Sequence, residues 1–228
     1  MKTIPALITL LLVCENLISQ DIRFQKPNYQ GIEKVVKDDT SKYYYSKLYD
    51  RYINNDTSLN LQDYRLLYYG YLFNENYSPY GVSVFTDSLT IFFQKDSLAP
   101  DDFMKIASYE REILKINPFN IRDLNALAFS CFNMGEIDLA NLIRLKIHMI
   151  VETILSTGDG RTNETAWHVI LVGHEYDLLN VLGFSFGGTQ VLTSEGCDKL
   201  SVEKNDYDIE EFYFDVNMIL NAEKNLFK

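Results

Sequence analysis

The chain has little of the residue types that carry most recognisable chemistry. Among 228 residues there are three cysteines, three histidines, one tryptophan and five prolines. Three cysteines exclude a disulfide framework. So few Cys and His also leave little from which to build a structural zinc site. Positive charge is short as well: 21 Lys and Arg face 32 Asp and Glu, for a net charge of −11. A surface of that sign repels phosphate backbones and anionic lipids, so nucleic acid is excluded as a partner. The apolar run from Ile4 to Val13 is too short, and too soon broken by Glu15 and Asn16, to span a bilayer.

What is present is a core-forming composition, 46% hydrophobic and 23% charged, enough for one or two folded domains. Tyrosine is in excess. Of 16 tyrosines, 12 lie between Tyr29 and Tyr80.

Met1-Lys2, the apolar run and the small residue Ser19 fit a secretory signal peptide over residues 1–19. Cleavage after Ser19 would leave Gln20 first and place the protein in the periplasm or at the cell surface. Lys2 and Glu15 leave together, so the net charge does not change. Cys14 offers a lipoprotein alternative, but Val13 stands where such signals carry a small residue. Of the remaining cysteines, Cys131 falls in the apolar run 126–132 and reads as a small buried residue. Whether it pairs with Cys197 is open.

Prolines stop at Pro118, while seven of the 11 glycines fall between Gly158 and Gly196. This shift predicts an N-terminal linker over 20–40, a helical region over 41–157 and a small sheet region over 158–228 packed on the helices. Tyr45, Leu48, Tyr49 and Tyr52 share one helical face in 41–54, and Leu61, Tyr64, Leu67, Tyr68 and Tyr71 repeat the pattern in 61–73. Asp87 or Ser88 is placed to cap a short helix, and Pro100-Asp101-Asp102 to open a longer one that ends at Asn117-Pro118. Helices over 121–134 and 137–155 follow, split by Gly135. Strand formers then dominate 165–172, 184–193, 198–202 and 212–216, with a short helix over 175–182. The expected class is α+β: N-terminal repeat-like helical hairpins followed by a small, mainly antiparallel β-sheet.

The helices resemble a tetratricopeptide repeat. After Pro118, the residues Leu124, Leu127, Ala128, Cys131, Gly135 and Ala140 match its packing positions, while Arg144 departs from the late aromatic. The flanking stretches match loosely, as degenerate repeats.

Several motifs fail on inspection. Gly183-Phe-Ser185-Phe-Gly187 spells G-x-S-x-G, but all three histidines lie upstream and a strand, not a helix, follows. His174-Glu175 lacks the second His of H-E-x-x-H, although His168 could join it from the neighbouring strand. Ser156 to Gly160 ends a helix and has no P-loop lysine, so it reads as a helix C-cap and turn. No metal or cofactor is expected, and no catalytic residue is assigned. Asp87-Ser-Leu89 and Asp96-Ser-Leu98 resemble a short O-glycosylation signal of exported bacterial proteins; helix capping is the simpler reading. Tyr43, Tyr44, Tyr45 and Tyr49 form a candidate aromatic surface, since three consecutive tyrosines cannot share one helix face. Core packing is the competing account.

The second half resembles an exported family of Bacteroides-like bacteria, domain of unknown function 4919. The resemblance rests on Gly158-Asp-Gly160, Glu164 to Ile170, Glu175 to Asn180, Leu182-Gly183, Gln190, Cys197-Asp198 and Phe212 to Val216. It implies export and a shared fold but no reaction. If the family has a common site, the resemblance points to Asp159, Glu164, His168, Glu175 and Gln190. The leading expectation is a non-enzymatic module that binds a protein or peptide on the helical repeats. The alternatives are a small-molecule hydrolase using His168 and Glu175 or Ser185, and a glycan-binding protein using the Tyr-rich helices.

Overall fold

A computed structural model describes residues 24–226, so the expected signal peptide, Cys14 and the expected cleavage after Ser19 lie outside the described residues. Helix α1 spans Tyr29–Lys37, α2 Tyr45–Ile53 and α3 Leu61–Gly70, the last running into a 3₁₀ turn at Tyr71–Phe73. Next come α4 (Thr86–Phe93), α5 (Pro100–Ile113), α6 (Ile121–Asn133) and α7 (Ile137–Leu155). The second half holds β1 (Trp167–His168), α8 (Gly173–Val181), β2 (Phe186–Leu192), β3 (Cys197–Val202), β4 (Glu211–Asp215) and α9 (Asn217–Leu226). The class is α+β, as the sequence predicts.

Two elements were not anticipated. The stretch expected as a linker carries α1, started by Asn28, whose side chain accepts the Gly31 amide at 3.0 Å. Its buried Ile32 and Val36 pack with α3. At the other end α9 follows β4 and buries Ile219. Helix α4 begins at Thr86, a residue before the expected caps, and no side chain caps it.

Helix α3 is the centre of the molecule. Asn60 and Asp63 bond each other's backbone amides as a capping box, and every residue from Asp63 to Gly70 is buried. It contacts α1, α2 and α7. The α6–α7 hairpin turns at Gly135, whose φ of +82° suits glycine. Leu124, Leu127, Ala128, Cys131 and Ala140 all lie in the core of this hairpin. Cys131 and Cys197 are both free and buried.

The sheet order is β1-β4-β3-β2. Only the β1–β4 pair is parallel, with Trp167 opposite Phe214 and His168 opposite Asp215. Strand β4 alternates buried Phe212 and Phe214 with half-exposed neighbours, as one covered face demands. A single apolar core runs from Ile32 to Ile219 and joins the two halves; Leu89, Phe92, Ile106 and Ile113 form a separate cluster under α4 and α5.

The apolar run 165–172 was expected to be one long strand, yet β1 has two residues. The reason is that tyrosines from the helical half take the ladder's place. Tyr69 Oη donates to the His168 carbonyl at 3.1 Å, the Ile170 amide donates to Tyr68 Oη at 3.3 Å, and Tyr77 Oη donates to the Ile170 carbonyl at 2.8 Å. Two further hydroxyls, those of Tyr52 and Tyr71, donate to the carbonyls of Pro118 and Ile116 at 2.8 and 2.7 Å. Buried main-chain groups off the sheet are thereby satisfied.

The turn at Gly158 and Gly160 is equally specific. A Cβ on Gly158 would stand 2.0 Å from the Thr165 carbonyl oxygen, and one on Gly160 would strike the Trp167 ring. Trp167 Nε1 donates to the Gly158 carbonyl at 2.9 Å, locking the loop to β1.

Two substitutions test this frame by urea unfolding. Tyr68→Phe leaves two buried partners without a hydrogen bond and is expected to cost about 2–4 kcal/mol. Gly158→Ala, which drives a methyl into backbone, is expected to destabilise by about 3 kcal/mol or more, whereas Gly173→Ala meets open space and should stay within about 0.5 kcal/mol. A tolerated Gly158→Ala would contradict the packing of this loop.

Candidate functional site

The five polar residues singled out in the sequence do not converge. Glu175 opens α8 and lies fully buried, facing the β2–β3 hairpin. Gln190 Nε2 reaches back to Glu175 Oε2 at 3.3 Å and to Asp198 Oδ2 at 2.7 Å, while Tyr176 Oη donates to its Oε1. His168 lies apart, with Nδ1 3.1 Å from Tyr29 Oη and 3.8 Å from Asp215 Oδ2. Asp159 and Glu164 are exposed loop residues, Asp159 accepting the Arg161 amide at 3.0 Å.

Asp198 and Tyr176 thus belong to the Glu175–Gln190 group, and neither was proposed from sequence. The hairpin register held the clue for Asp198. Leu192 pairs with Asp198 and Gln190 with Leu200, so Gln190 and Asp198 are diagonal neighbours on one face.

The other motif residues are structurally committed. His174 is fully buried; Tyr68 Oη lies 2.7 Å from its Nδ1 and its Nε2 lies 2.9 Å from the Phe119 carbonyl. That carbonyl requires a donor at Nε2, so Tyr68 donates to Nδ1 and the ring is neutral. Burial lowers the His174 pKa to about 4. Ser185 is exposed ahead of β2, with its carbonyl accepting the Glu203 amide. No group of three or more His, Cys, Asp or Glu among the described residues is arranged to hold a metal ion.

The buried acids are the electrostatic feature of the molecule. Burial, with the Asp198 carboxylate beside it, pushes Glu175 up to about 9, and its Oε1 has no hydrogen-bond partner among the described residues. Burial and Asp123 push Glu110 up to about 8, and burial and Asp177 push Asp123 up to about 6. Asp177 is raised by burial and held by Arg122 Nε at 2.6 Å. At neutral pH Glu175 is an uncharged carboxylic acid.

The tyrosine surface resolves into a cleft. Tyr44, Tyr45, Tyr49 and Tyr71 line a cavity of about 680 Å³, with Lys37, Phe73, Asn74, Asn76, Lys115 and Pro118 around it. Tyr45 lies between Tyr49 and Tyr71, stacked at interplanar angles of 15° and 20°. Its hydroxyl is buried and has no partner among the described residues. Tyr43 is half-buried and carries Lys42 Nζ 4.6 Å from its ring centre; it does not line the cleft. Lys37 and Lys115 were missed because they come from the end of α1 and the turn after α5, outside the Tyr-rich helices α2 and α3.

The raised acids set a pH dependence of stability. Their folded pKa values exceed the unfolded values near 4, so the native state binds more protons. Stability from Glu175 is therefore greatest in acid, falls as pH rises above about 4.5, and levels off past about 9. His174 and His168, lowered by burial, act in the opposite sense and lose stability below about 6.5. Glu175→Gln isolates the first effect. Denaturation at pH 5 and pH 8 is expected to show the variant gaining about 2 kcal/mol or more on wild type at pH 8 and little at pH 5; an equal gain at both would refute a protonated Glu175.

Comparison with known proteins adds one relation. The family model described as a domain of unknown function (DUF4919) matches residues 30–225, from α1 through α9. No match was found among the curated proteins or among the solved structures. With most of its length covered, including the buried glutamic acid and the tyrosine-lined cleft, the chain belongs to the DUF4919 family.

Proposed function

We propose that the protein is an exported, non-enzymatic interaction module that holds a peptide segment of a partner protein in the tyrosine-lined cleft. The observation that carries this reading is the Tyr45 hydroxyl, buried and without a partner at a cavity of about 680 Å³. A buried hydroxyl with no bond costs about 1–3 kcal/mol, which a ligand's polar group would recover.

The chemistry of the walls supports a peptide. Tyr45 runs nearly parallel to Tyr49 and Tyr71, with ring centres 5.9 and 6.2 Å away, so its ring is engaged by its neighbours and its hydroxyl is the group left for a ligand. Asn74 and Asn76 add amide-bearing walls able to pair with main-chain groups. Lys37 and Lys115 stand at the cleft, each in an exposed ion pair, with Glu33 at 2.6 Å and Glu112 at 2.7 Å. Such pairs are worth little and exchange readily for an acidic peptide side chain. Export rests on the Lys2, Ile4–Val13 and Ser19 pattern.

A hydrolytic role has less support. Its histidine candidates are His174, whose two nitrogens are bonded inside the core, and His168, which is paired with Tyr29.

A displayed peptide library panned on the mature protein tests the reading, with a glycan array as the parallel arm. Peptides are expected to be enriched and to lose about tenfold in affinity when Tyr44→Ala or Tyr45→Phe is introduced. Enrichment of glycans alone, or peptides indifferent to both substitutions, would sink it. Sequencing the N-terminus of the protein recovered from its native host is expected to start at Gln20.

A further inference from the structure

A second cavity, of about 370 Å³, opens where the N-termini of α6 and α8 meet the loop at 79–82. It is distinct from the tyrosine-lined cleft, with no lining residue in common. Asn117, Arg122, Gly173 and Asp177 line it on the polar side, Tyr80 and Val82 on the other.

Three observations describe what would fill it. Asn117 is only 9% exposed; its Nδ2 donates to the Gly81 carbonyl at 2.8 Å, which fixes the amide and leaves Oδ1 as an acceptor without a partner. Arg122 gives its Nε to Asp177, and its side chain is 61% exposed, so its guanidinium remains open to a further acceptor. Helix α8 begins at Gly173 with no side chain capping it; its His174 and Glu175 amides donate to the Leu171 and Val172 carbonyls at 3.1 Å, so the end offers the partial positive charge of the helix at Gly173.

The wall therefore asks for two opposite groups at once. A simple anion would satisfy Arg122 and the α8 end but would leave Asn117 Oδ1 orphaned and would meet the Asp177 carboxylate. A simple cation would satisfy Asn117 and Asp177 and oppose Arg122. We propose that this cavity binds a free α-amino acid with an apolar side chain. Its carboxylate lies on Arg122 and the α8 amide end, its ammonium donates to Asn117 Oδ1 and Asp177, and its side chain packs on Tyr80 and Val82.

Titration calorimetry of the mature protein with L-leucine and L-phenylalanine tests this, together with the N-acetyl and C-terminal amide forms of each. At least one free amino acid is expected to bind, and blocking either end should weaken it by about tenfold or more. Gly173→Phe projects a ring from a position where a Cβ meets open space. It is expected to abolish binding without changing the unfolding midpoint, while Tyr45→Phe leaves binding unchanged. Binding of the blocked forms as tightly as the free ones, an unaffected Gly173→Phe, or no binding of either amino acid would overturn the assignment.

Discussion

A hydrogen bond from a buried tyrosine hydroxyl to main chain outside any ladder is the interaction on which this fold depends. The Tyr-rich N-terminal segment supplies the hydroxyls, and the turn between α5 and α6 and the segment after α7 supply the orphan groups. Tyr69, Tyr68 and Tyr77 complete the backbone of 168–170, and Tyr52 and Tyr71 complete 116–118. Each ring also fills the core, so one residue type provides both apolar area and a polar tip. Tyr68 joins three parts of the molecule, since its hydroxyl meets Ile170 and His174, and His174 in turn meets Phe119. Replacing these rings by Phe would nearly preserve volume and leave the main chain without partners.

Against that satisfied framework, the unsatisfied groups stand out. Tyr45 Oη and Asn117 Oδ1 are buried without partners among the described residues at two separate cavities, and Glu175 is held neutral in a site that has no room for its charge. Structures retain such groups where something other than stability is being served. The acidic surface and the buried acids are separate matters. The first follows from a net charge of −11 and acts at long range. The second makes the fold tighter in mild acid than in base, with the buried histidines bounding it from below.

Much of the helical half was legible because amphipathic periodicity is local. The faces of α3 and α6, the Pro100 start of α5 and the Gly135 break follow from residues a turn apart. The hairpin strands were legible for the same reason, within two residues. Helix α1 was not, because its apolar stripe is short and needs α3 to define it. The long apolar run at 165–172 misled for a related cause: strand propensity describes side chains, whereas a strand needs a neighbour's main chain, and here tyrosines take that place. The candidate site fared similarly. Glu175 and Gln190 do meet, but His168, close in sequence, turns to the opposite partner set.

The amino-acid sequence by itself determined the α+β class, the charge, the boundaries of α3, α6 and α7 and the concentration of tyrosine up to Tyr80, because composition and periodicity act over a few residues. Only the tertiary structure decided what the tyrosines do. Which hydroxyl finds a main-chain partner depends on residues 45 to 102 positions away, and which hydroxyl is left open at a cleft depends on how the elements pack around it. Those are matters of packing geometry, and no local pattern encodes them.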